Sequence, residues 1–374
     1  MTWKIPLFKI FWDESDVENV NREIQSGMNW AIGPNIKKFE NLIRDRVGTN
    51  YAVVFNSGTS SLHSLLLAYG INEGDEIIVP SFTFIATANA PLFVGARPVF
   101  ADIERETLGL DPDSVQENIT DKTKAVLPIH YGGSPCKIEE LKDITEDNDL
   151  ILIEDAAESL GAKIKEKNVG TFGDSAVLSF CQNKIITTGE GGAVVTDSRE
   201  IYEKLLLIRS HGRLETSDYF SSLKPSDYVS LGYNFRMSNI TAALGISQLL
   251  KMDKIIRMRR SNSRYLTENL KDQFNNIIPL EPLDNYYHVY QLYTVIANDR
   301  DALMEYLADK GIMSKIYFDP VHQTHFYKKK LLYDVDLPVT EEMANKVVTL
   351  PMFSNLLKDE LDFMVTEIKN FYRR

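Results

Sequence analysis

Several features are scarce in this 374-residue chain, and each absence excludes a class of protein. Its two cysteines, Cys136 and Cys181, are too few and too far apart to indicate a disulfide framework or a zinc site, and we expect no metal. No segment approaches the roughly 18 uninterrupted apolar residues of a membrane helix. The N-terminus also lacks the apolar core and cleavage site of a signal peptide. We therefore expect a cytoplasmic protein with no membrane partner.

Positive charge is also scarce. Lys and Arg total 41 against 53 Asp and Glu, and the net charge of -12 has the wrong sign for a generic nucleic-acid binder. Apolar residues make up 44% and charged residues 25%, which is typical of a globular protein and not of a disordered chain. The length predicts one large α/β unit with an appendage, or two domains.

Short β-rich runs alternate with helical or turn-rich segments through the first half of the chain. The runs cover residues 51–55, 76–79, 98–101, 125–129, 150–154, 176–180 and 193–196. Continuous apolar runs such as residues 150–153 are required by a sheet that is covered on both faces. The alternation favours right-handed parallel crossovers, so we predict a mostly parallel sheet between two layers of helices.

Helix signals predict further boundaries. Residues 15–18 match a capping box for a helix that runs to Gly27, and Pro34 and Gly48 bracket a second helix. Residues 239–256 predict one long helix. The basic run that follows it is interpreted as a solvated helix face, with a specific anion site as the alternative; it comprises Arg257, Arg259, Arg260 and Arg264. Beyond it, the pattern predicts a smaller α+β unit.

Residues just after the strands deserve inspection, because ligands of open α/β sheets bind beyond the carboxyl ends of the strands. Residues 56–61 read Asn-Ser-Gly-Thr-Ser-Ser, which suits a phosphate at a helix N-terminus but equally suits ordinary N-capping. Phe84 could stack on a flat ring or belong to the core. Asp155 could cap a turn or hold a proton on a heteroaromatic nitrogen.

Lys184 lies between a predicted strand and the glycine-rich residues 189–192. A desolvated lysine at such a place can attack a carbonyl to form a Schiff base. A lone loop lysine is more often a solvated surface residue, so the combination of neighbouring motifs decides between the two interpretations.

Taken in order along the chain, these motifs resemble the DegT/DnrJ/EryC1/StrS family of sugar aminotransferases, fold-type I enzymes that depend on pyridoxal 5′-phosphate. The resemblance covers nearly the whole chain and rests on residues 32–34, 56–59, 80–84, 154–158, 179–184, 189–192, 232–237 and 317–322. It implies an α/β fold with a mostly parallel seven-stranded sheet in a three-layer large domain, residues 1–245. It also implies a smaller α+β domain, residues 246–374.

The resemblance further implies roles for individual residues. Lys184 would bind the cofactor covalently and move a proton between the substrate carbon and the cofactor, while Asp155 would pair with its pyridinium nitrogen. Phe84 would cover one face of the ring, and Glu158 would lie near it. The phosphate would be bound by Ser57, Gly58, Thr59 and Ser179. Asn234 and Arg236 would reach it from the neighbouring subunit, so that the active site forms only in a homodimer.

Substrate contacts are less clearly marked. The candidates for contact with the sugar or its diphosphate are Trp30, His130, Tyr317 and His322, for each of which packing is an equal alternative. Two positions depart from the commonest family pattern: Glu158 stands where many members have Gln or His, and Cys181 where His is frequent. We interpret the first as tuning and the second as space-filling.

The reaction that the resemblance implies is transamination. L-Glutamate would convert pyridoxal phosphate to pyridoxamine phosphate, which would then aminate a keto-sugar carried on a nucleoside diphosphate, by preference a 4-keto-6-deoxy hexose. Alternatives are a pyridoxal-phosphate-dependent sugar dehydratase, a cyclitol aminotransferase and a non-catalytic pyridoxal-phosphate-binding regulator. Family members that dehydrate their sugar have His in place of the lysine, so Lys184 favours transamination. No nucleic acid is expected as a partner.

Overall fold

The computed structural model describes residues 3–214, 227–271 and 276–373. Within these ranges the chain forms twelve α-helices. They are α1 (Glu14–Ser26), α2 (Pro34–Val47), α3 (Gly58–Ala68), α4 (Ile85–Phe93), α5 (Pro112–Glu117), α6 (Ile138–Asp147), α7 (Arg199–Arg209), α8 (Asn239–Leu250), α9 (Met252–Leu270), α10 (Arg300–Asp309), α11 (Pro338–Lys346) and α12 (Lys358–Tyr372). None of the helices in the described ranges is both long enough and apolar enough to cross a membrane.

The same ranges contain thirteen β-strands, most of them short. They are β1 (Tyr51–Phe55), β2 (Glu76–Pro80), β3 (Arg97–Ala101), β4 (Thr123–Val126), β5 (Ile151–Asp155), β6 (Lys163–Ile164), β7 (Lys167–Asn168), β8 (Ser175–Ser179), β9 (Gly192–Thr196), β10 (Ile277–Pro279), β11 (Tyr286–Tyr287), β12 (Tyr293–Ala297) and β13 (Val347–Leu350). Each of the seven β-rich runs of the first half therefore becomes a strand, with bounds shifted by three residues at most.

Seven of these strands form the main sheet, in the order β1-β9-β8-β5-β4-β2-β3. Only β9 runs antiparallel to its neighbours in this sheet, which confirms the mostly parallel topology. Side chains of β1 alternate between two apolar clusters: Ala52 and Val54 pack towards α2 and α8, whereas Val53 and Phe55 pack towards α3 and α7. Because both faces are covered, the large unit has three layers.

Two local expectations are corrected. The N-cap of α1 is Asp13 and not Ser15, because the Asp13 carboxylate accepts the Ser15 N–H while the Asp16 side chain completes the capping box. The predicted long helix is interrupted at Lys251, whose backbone leaves helical geometry. There the Lys251 ammonium group donates 2.6 Å hydrogen bonds to both aspartates, so a tertiary contact accompanies the break.

A smaller three-stranded sheet, β10-β12-β13, packs against α9, α10 and α12 around its own apolar core. Arg259 of the basic run is not solvated. It is 3% exposed, and it donates hydrogen bonds to the carbonyl groups of Tyr290, Gln291 and Met352. The division into residues 1–245 and 246–374 stays a prediction, and it would fall inside α8.

Candidate active site

Four strand ends bring the predicted cofactor residues to one edge of the main sheet. Strands β1, β2, β5 and β8 run in the same direction, so their carboxyl ends meet there. The residues placed there are Ser57 after β1, Phe84 after β2, Asp155 at the end of β5 and Ser179 at the end of β8. Lys184 follows in the loop between β8 and β9.

A close-packed turn leads from β1 into α3. Ser57 is the N-cap, and its hydroxyl accepts the Ser60 N–H at 3.0 Å. The N–H groups of Gly58 and Thr59, at the start of the helix, have no hydrogen-bond partner among the described residues. A helix start of this kind attracts an anion, because its free N–H groups and the helix dipole point outwards.

Glycine is required where this turn meets β9. A Cβ atom added to Gly192 would lie 2.5 Å from the carbonyl oxygen of Ser57, which is too close for a carbon atom. A Cβ atom on Gly58 would similarly come within 3.2 Å of the Cβ of Ser179. The absence of side chains at these two positions therefore lets the Ser57 turn lie directly against β8 and β9.

Asp155 is almost completely buried at this edge. Its Oδ2 accepts a 2.8 Å hydrogen bond from the Thr87 hydroxyl, and its Oδ1 accepts the Ala157 N–H at 3.1 Å. Burial raises the pKa of Asp155, although these hydrogen bonds and the nearby Lys184 oppose the rise. The carboxylate therefore lies where a positive partner would stabilise it strongly.

Lys184 makes an ion pair with Glu158 inside the site. Its Nζ lies 3.1 Å from Glu158 Oε1, while Oε2 of the same carboxylate accepts the Gly132 N–H at 2.9 Å. Glu158 is 3% exposed and the Lys184 side chain 14% exposed. The lysine is thus directed into the site by a carboxylate that is itself held by the loop after β4.

Aromatic side chains border the opening of the site. Phe84 is 57% exposed, and its ring centroid lies 6.3 Å from that of Phe318. Tyr317 is half-buried beside Asn183, the residue before Lys184. Burial raises the pKa of Tyr317, and the nearby Glu158 carboxylate raises it further. One predicted substrate residue, Tyr317, therefore does lie next to the residue that precedes Lys184.

His130 is separated from this opening. It is fully buried, with Nε2 2.9 Å from Glu154 Oε2, and its Nδ1 accepts the Cys136 N–H. Glu154 also accepts N–H groups from residues 170, 172 and 173. Burial opposes ionisation of Glu154, but these hydrogen bonds hold its pKa below the ordinary value. The structure therefore favours the packing alternative for His130 over substrate contact.

His322 is also a packing residue in this structure. Its Nδ1 lies 2.7 Å from the Ser81 hydroxyl, and its Nε2 lies 3.2 Å from Glu341. These contacts fasten the segment after Tyr317 to the end of β2, and burial lowers the pKa of the ring. Trp30 is half-exposed and donates its indole N–H to the Glu23 carbonyl, with no described contact to Lys184.

Residues 233–236 lie beside the end of β1, where the Asn56 N–H donates to the Phe235 carbonyl. Asn234 is exposed, and Arg236 donates a 3.2 Å hydrogen bond to the Ser210 hydroxyl of its own chain. Cys181 is partly exposed, with Sγ 3.8 Å from Glu190 Oε1. The roles expected for Asn234 and Arg236 across a dimer interface stay predictions.

Three residues of the site carried no motif signal of their own. Thr87 holds the Asp155 carboxylate, Gly132 holds Glu158, and Asn183 lies beside Tyr317. Thr87 could have been found only from its spacing of three residues from Phe84, the N-cap of α4, which places both near one side of the first turn. The other two act through a backbone N–H group or through a loop, neither of which leaves a pattern in one sequence.

The mostly parallel sheet, with a lysine and buried carboxylates at the carboxyl ends of its strands, is consistent with the fold-type I class. The chain belongs to the DegT/DnrJ/EryC1/StrS aminotransferase family, whose model matches residues 12–369.

Individual relatives agree with this assignment. The chain is 35% identical to GDP-perosamine synthase of Escherichia coli O157:H7, over 98% of both chains. Among solved structures, it matches Helicobacter pylori PseC, an aminotransferase involved in the biosynthesis of pseudoaminic acid, with a TM-score of 0.92 and 29% identity over 100% of both chains. It also matches DesV of S. venezuelae with a TM-score of 0.91 and 28% identity, again over 100% of both chains.

Proposed function

We propose that this aminotransferase uses pyridoxal 5′-phosphate to move an amino group from L-glutamate to a keto-sugar carried on a nucleoside diphosphate. The observation that carries the proposal is the Lys184–Glu158 ion pair beside the buried Asp155. By family analogy the acceptor is a 4-keto-6-deoxy hexose. GDP is the nucleotide to test first, because the name of the E. coli relative contains it.

The residues present fit pyridoxal phosphate. The buried Asp155 carboxylate receives two hydrogen bonds but has no cation in direct contact among the described residues, and a protonated pyridine nitrogen would supply one. The Gly58 and Thr59 N–H groups are suited to a phosphate. The exposed ring of Phe84 is suited to cover a flat heterocycle.

When bound, the cofactor supplies an electron sink for the substrate carbon. Asp155 would keep a proton on the ring nitrogen, because its charge is otherwise uncompensated in a buried place. The Lys184 amine would take the proton from the donor carbon and deliver it to the cofactor in the first half-reaction, and would make the reverse transfer, from the cofactor to the sugar carbon, in the second. Glu158 would hold the free amine in place between these steps through its 3.1 Å contact, itself fixed by Gly132.

We also propose that the working unit is a cytoplasmic homodimer in which Asn234 and Arg236 contribute to the partner's phosphate site. Large apolar side chains on and near α1 and residues 228–231 are exposed, including Trp12 at 61% and Leu231 at 82%. A second copy of this chain would cover them. The proposed domain division at residue 245 would place the smaller unit over the site.

Absorbance tests this function directly. Purified protein loaded with pyridoxal phosphate should lose its long-wavelength band when L-glutamate is added, and the band should return with a GDP-linked 4-keto-6-deoxy sugar. Lys184→Ala should abolish the cycle, because Lys184 is the lysine that the described part of the chain places beside Glu158 and Asp155. A donor-driven cycle that persists in Lys184→Ala would contradict the proposal.

The same experiment separates the alternatives. Recovery of the band with keto-cyclitols and not with nucleotide sugars would favour a cyclitol aminotransferase. One relative, from Geobacillus stearothermophilus, is named as a pleiotropic regulatory protein and is 32% identical over 96% of this chain. A loaded protein that responds to no donor would favour a regulator of that kind.

A further inference from the structure

Lys315 lies beside Tyr317, on a segment that pairs with the smaller sheet. Its backbone N–H donates to the Thr349 carbonyl at 3.1 Å and its carbonyl accepts the Thr349 N–H at 2.8 Å, so residue 315 pairs with β13. In an extended segment, residues two apart share a face. Accordingly, the Lys315 ammonium lies 5.0 Å from the ring centroid of Tyr317.

Tyr317 connects this lysine to the reactive centre. The tyrosine lies beside Asn183, directly before Lys184, and close enough to Glu158 for that carboxylate to affect its titration. Lys315 is therefore one aromatic ring away from the Lys184–Glu158 pair. A substrate that approached Lys184 past Tyr317 would come close to the Lys315 ammonium.

The charge of Lys315 is uncompensated within the described parts of the chain. Its side chain is exposed, and none of their carboxylates lies within ion-pair distance of it. Some lysines of the chain are paired, as Lys9 is with Glu360 and Lys251 with Asp16, whereas others, such as Lys167, have no carboxylate partner among the described residues. It is the position of Lys315 beside Tyr317 that distinguishes it. The site behind Tyr317 is acidic, because two carboxylates, those of Asp155 and Glu158, lie there with the Lys184 amine among the described residues. An anionic substrate entering there meets repulsion unless a cation at the opening offsets it.

On the basis of the proposed function, we infer that Lys315 binds an anionic group of a substrate at the opening of the site and thereby contributes to substrate specificity. Two groups offer suitable oxygen atoms: the diphosphate of the sugar nucleotide and the side-chain carboxylate of the amino donor. An ammonium group donates charge-assisted hydrogen bonds to either. The two sources are separable, because a transaminase meets them in different half-reactions.

The test compares the loaded wild-type enzyme with Lys315→Ala, Lys315→Arg and a matched control, Lys167→Ala. Lys167 is also exposed and lies over an aromatic ring, 4.2 Å from the Phe172 centroid, but on the hairpin formed by β6 and β7. Each half-reaction is followed by absorbance in single turnovers, with L-glutamate or L-alanine as donor and the keto-sugar nucleotide as acceptor. Half-saturating concentration and maximal rate are measured separately.

In Lys315→Ala we expect the half-saturating concentration to rise about tenfold in one half-reaction, as for the loss of one hydrogen bond to a charged group. Maximal rates should stay within about twofold of wild type. A rise for L-glutamate but not for L-alanine identifies the carboxylate, and a rise for the sugar nucleotide identifies the diphosphate. Lys315→Arg should restore most of the loss, since it keeps the charge, and Lys167→Ala should match wild type.

Unchanged half-saturation in both half-reactions of Lys315→Ala would overturn the inference. A lower maximal rate with unchanged half-saturation would also overturn it, because that pattern indicates a structural effect on the reactive lysine. A wild-type enzyme that responds to neither substrate would refute the proposed function, which is a separate result.

Discussion

Asp155→Asn probes the charge at the end of β5 with little change of shape. In the protein without cofactor this carboxylate is 3% exposed, and its burial raises its pKa, so the charged form is disfavoured there. Removing the charge should leave that protein as stable as wild type or more so. Affinity for pyridoxal phosphate should fall by roughly 10- to 100-fold, because a hydrogen bond to a charged partner contributes roughly 1.5–3 kcal/mol.

Two assays separate these opposite effects. Urea unfolding of the cofactor-free protein, followed by tryptophan fluorescence, measures stability, and equilibrium titration by absorbance measures cofactor affinity. Asp174→Asn is the matched control: it alters the aspartate that accepts the Leu152 N–H near the opposite end of β5, and should not affect affinity. Unchanged affinity in Asp155→Asn, or a loss of more than about 1 kcal/mol in stability, would refute the reasoning.

The contribution of Asp155 to the free energy of unfolding should also depend on pH. The native pKa of Asp155 lies above the unfolded value of 3.8, so above pH 3.8 the native protein binds more of this proton than the unfolded chain does. The contribution of Asp155 to the unfolding free energy therefore falls as pH rises from 3.8 through the native pKa. Subtracting the pH profile of Asp155→Asn from that of wild type should reveal this slope.

Two further predictions concern stability and the phosphate turn. Lys251→Met should lower the unfolding free energy by roughly 3–5 kcal/mol in urea denaturation, because it leaves the 5%-exposed Asp16 without its cation. Asp13→Asn removes the other, 45%-exposed partner of Lys251 and should change the unfolding free energy by less than about 1 kcal/mol. Equal losses in the two variants would contradict the assignment of the stabilisation to the buried pair. Gly192→Ala should weaken pyridoxal-phosphate binding, because its Cβ would lie 2.5 Å from the Ser57 carbonyl oxygen and displace the phosphate turn. Wild-type affinity in that variant would show that the turn tolerates the methyl group.

Sequence patterns succeeded where one local rule dominates. The bounds of β1 and α2 match the structure, because a run with four β-favouring residues out of five and a Pro34-to-Gly48 frame leave few alternatives. The sequence pattern was misleading where a residue from a distant segment takes part in the cap. At the start of α1, residues 15–18 match a capping box, but the structure forms the box at Asp13 and Asp16, and the bonds of both to Lys251 exist only in the fold.

The site likewise contains residues whose position the sequence predicted and contacts that it did not predict. Strand order along the chain and the motifs placed Ser57, Asp155 and Lys184 after their strands, since parallel strands end at one edge. The side-chain partners could not be read in this way. Glu158 pairs with a lysine 26 positions away, and His130 pairs with Glu154 inside the core instead of reaching the opening.

The sequence by itself therefore determined the family, the alternation of strands and helices and the edge of the sheet at which Lys184 lies, because these depend on short-range patterns of residue type. Only the tertiary structure decided which carboxylate holds Lys184, which histidines are buried in packing and which lysine remains unpaired at the opening. Those outcomes depend on contacts between segments far apart in the chain. The free energy of each contact is set by burial and by the partners that the fold brings within a few ångströms.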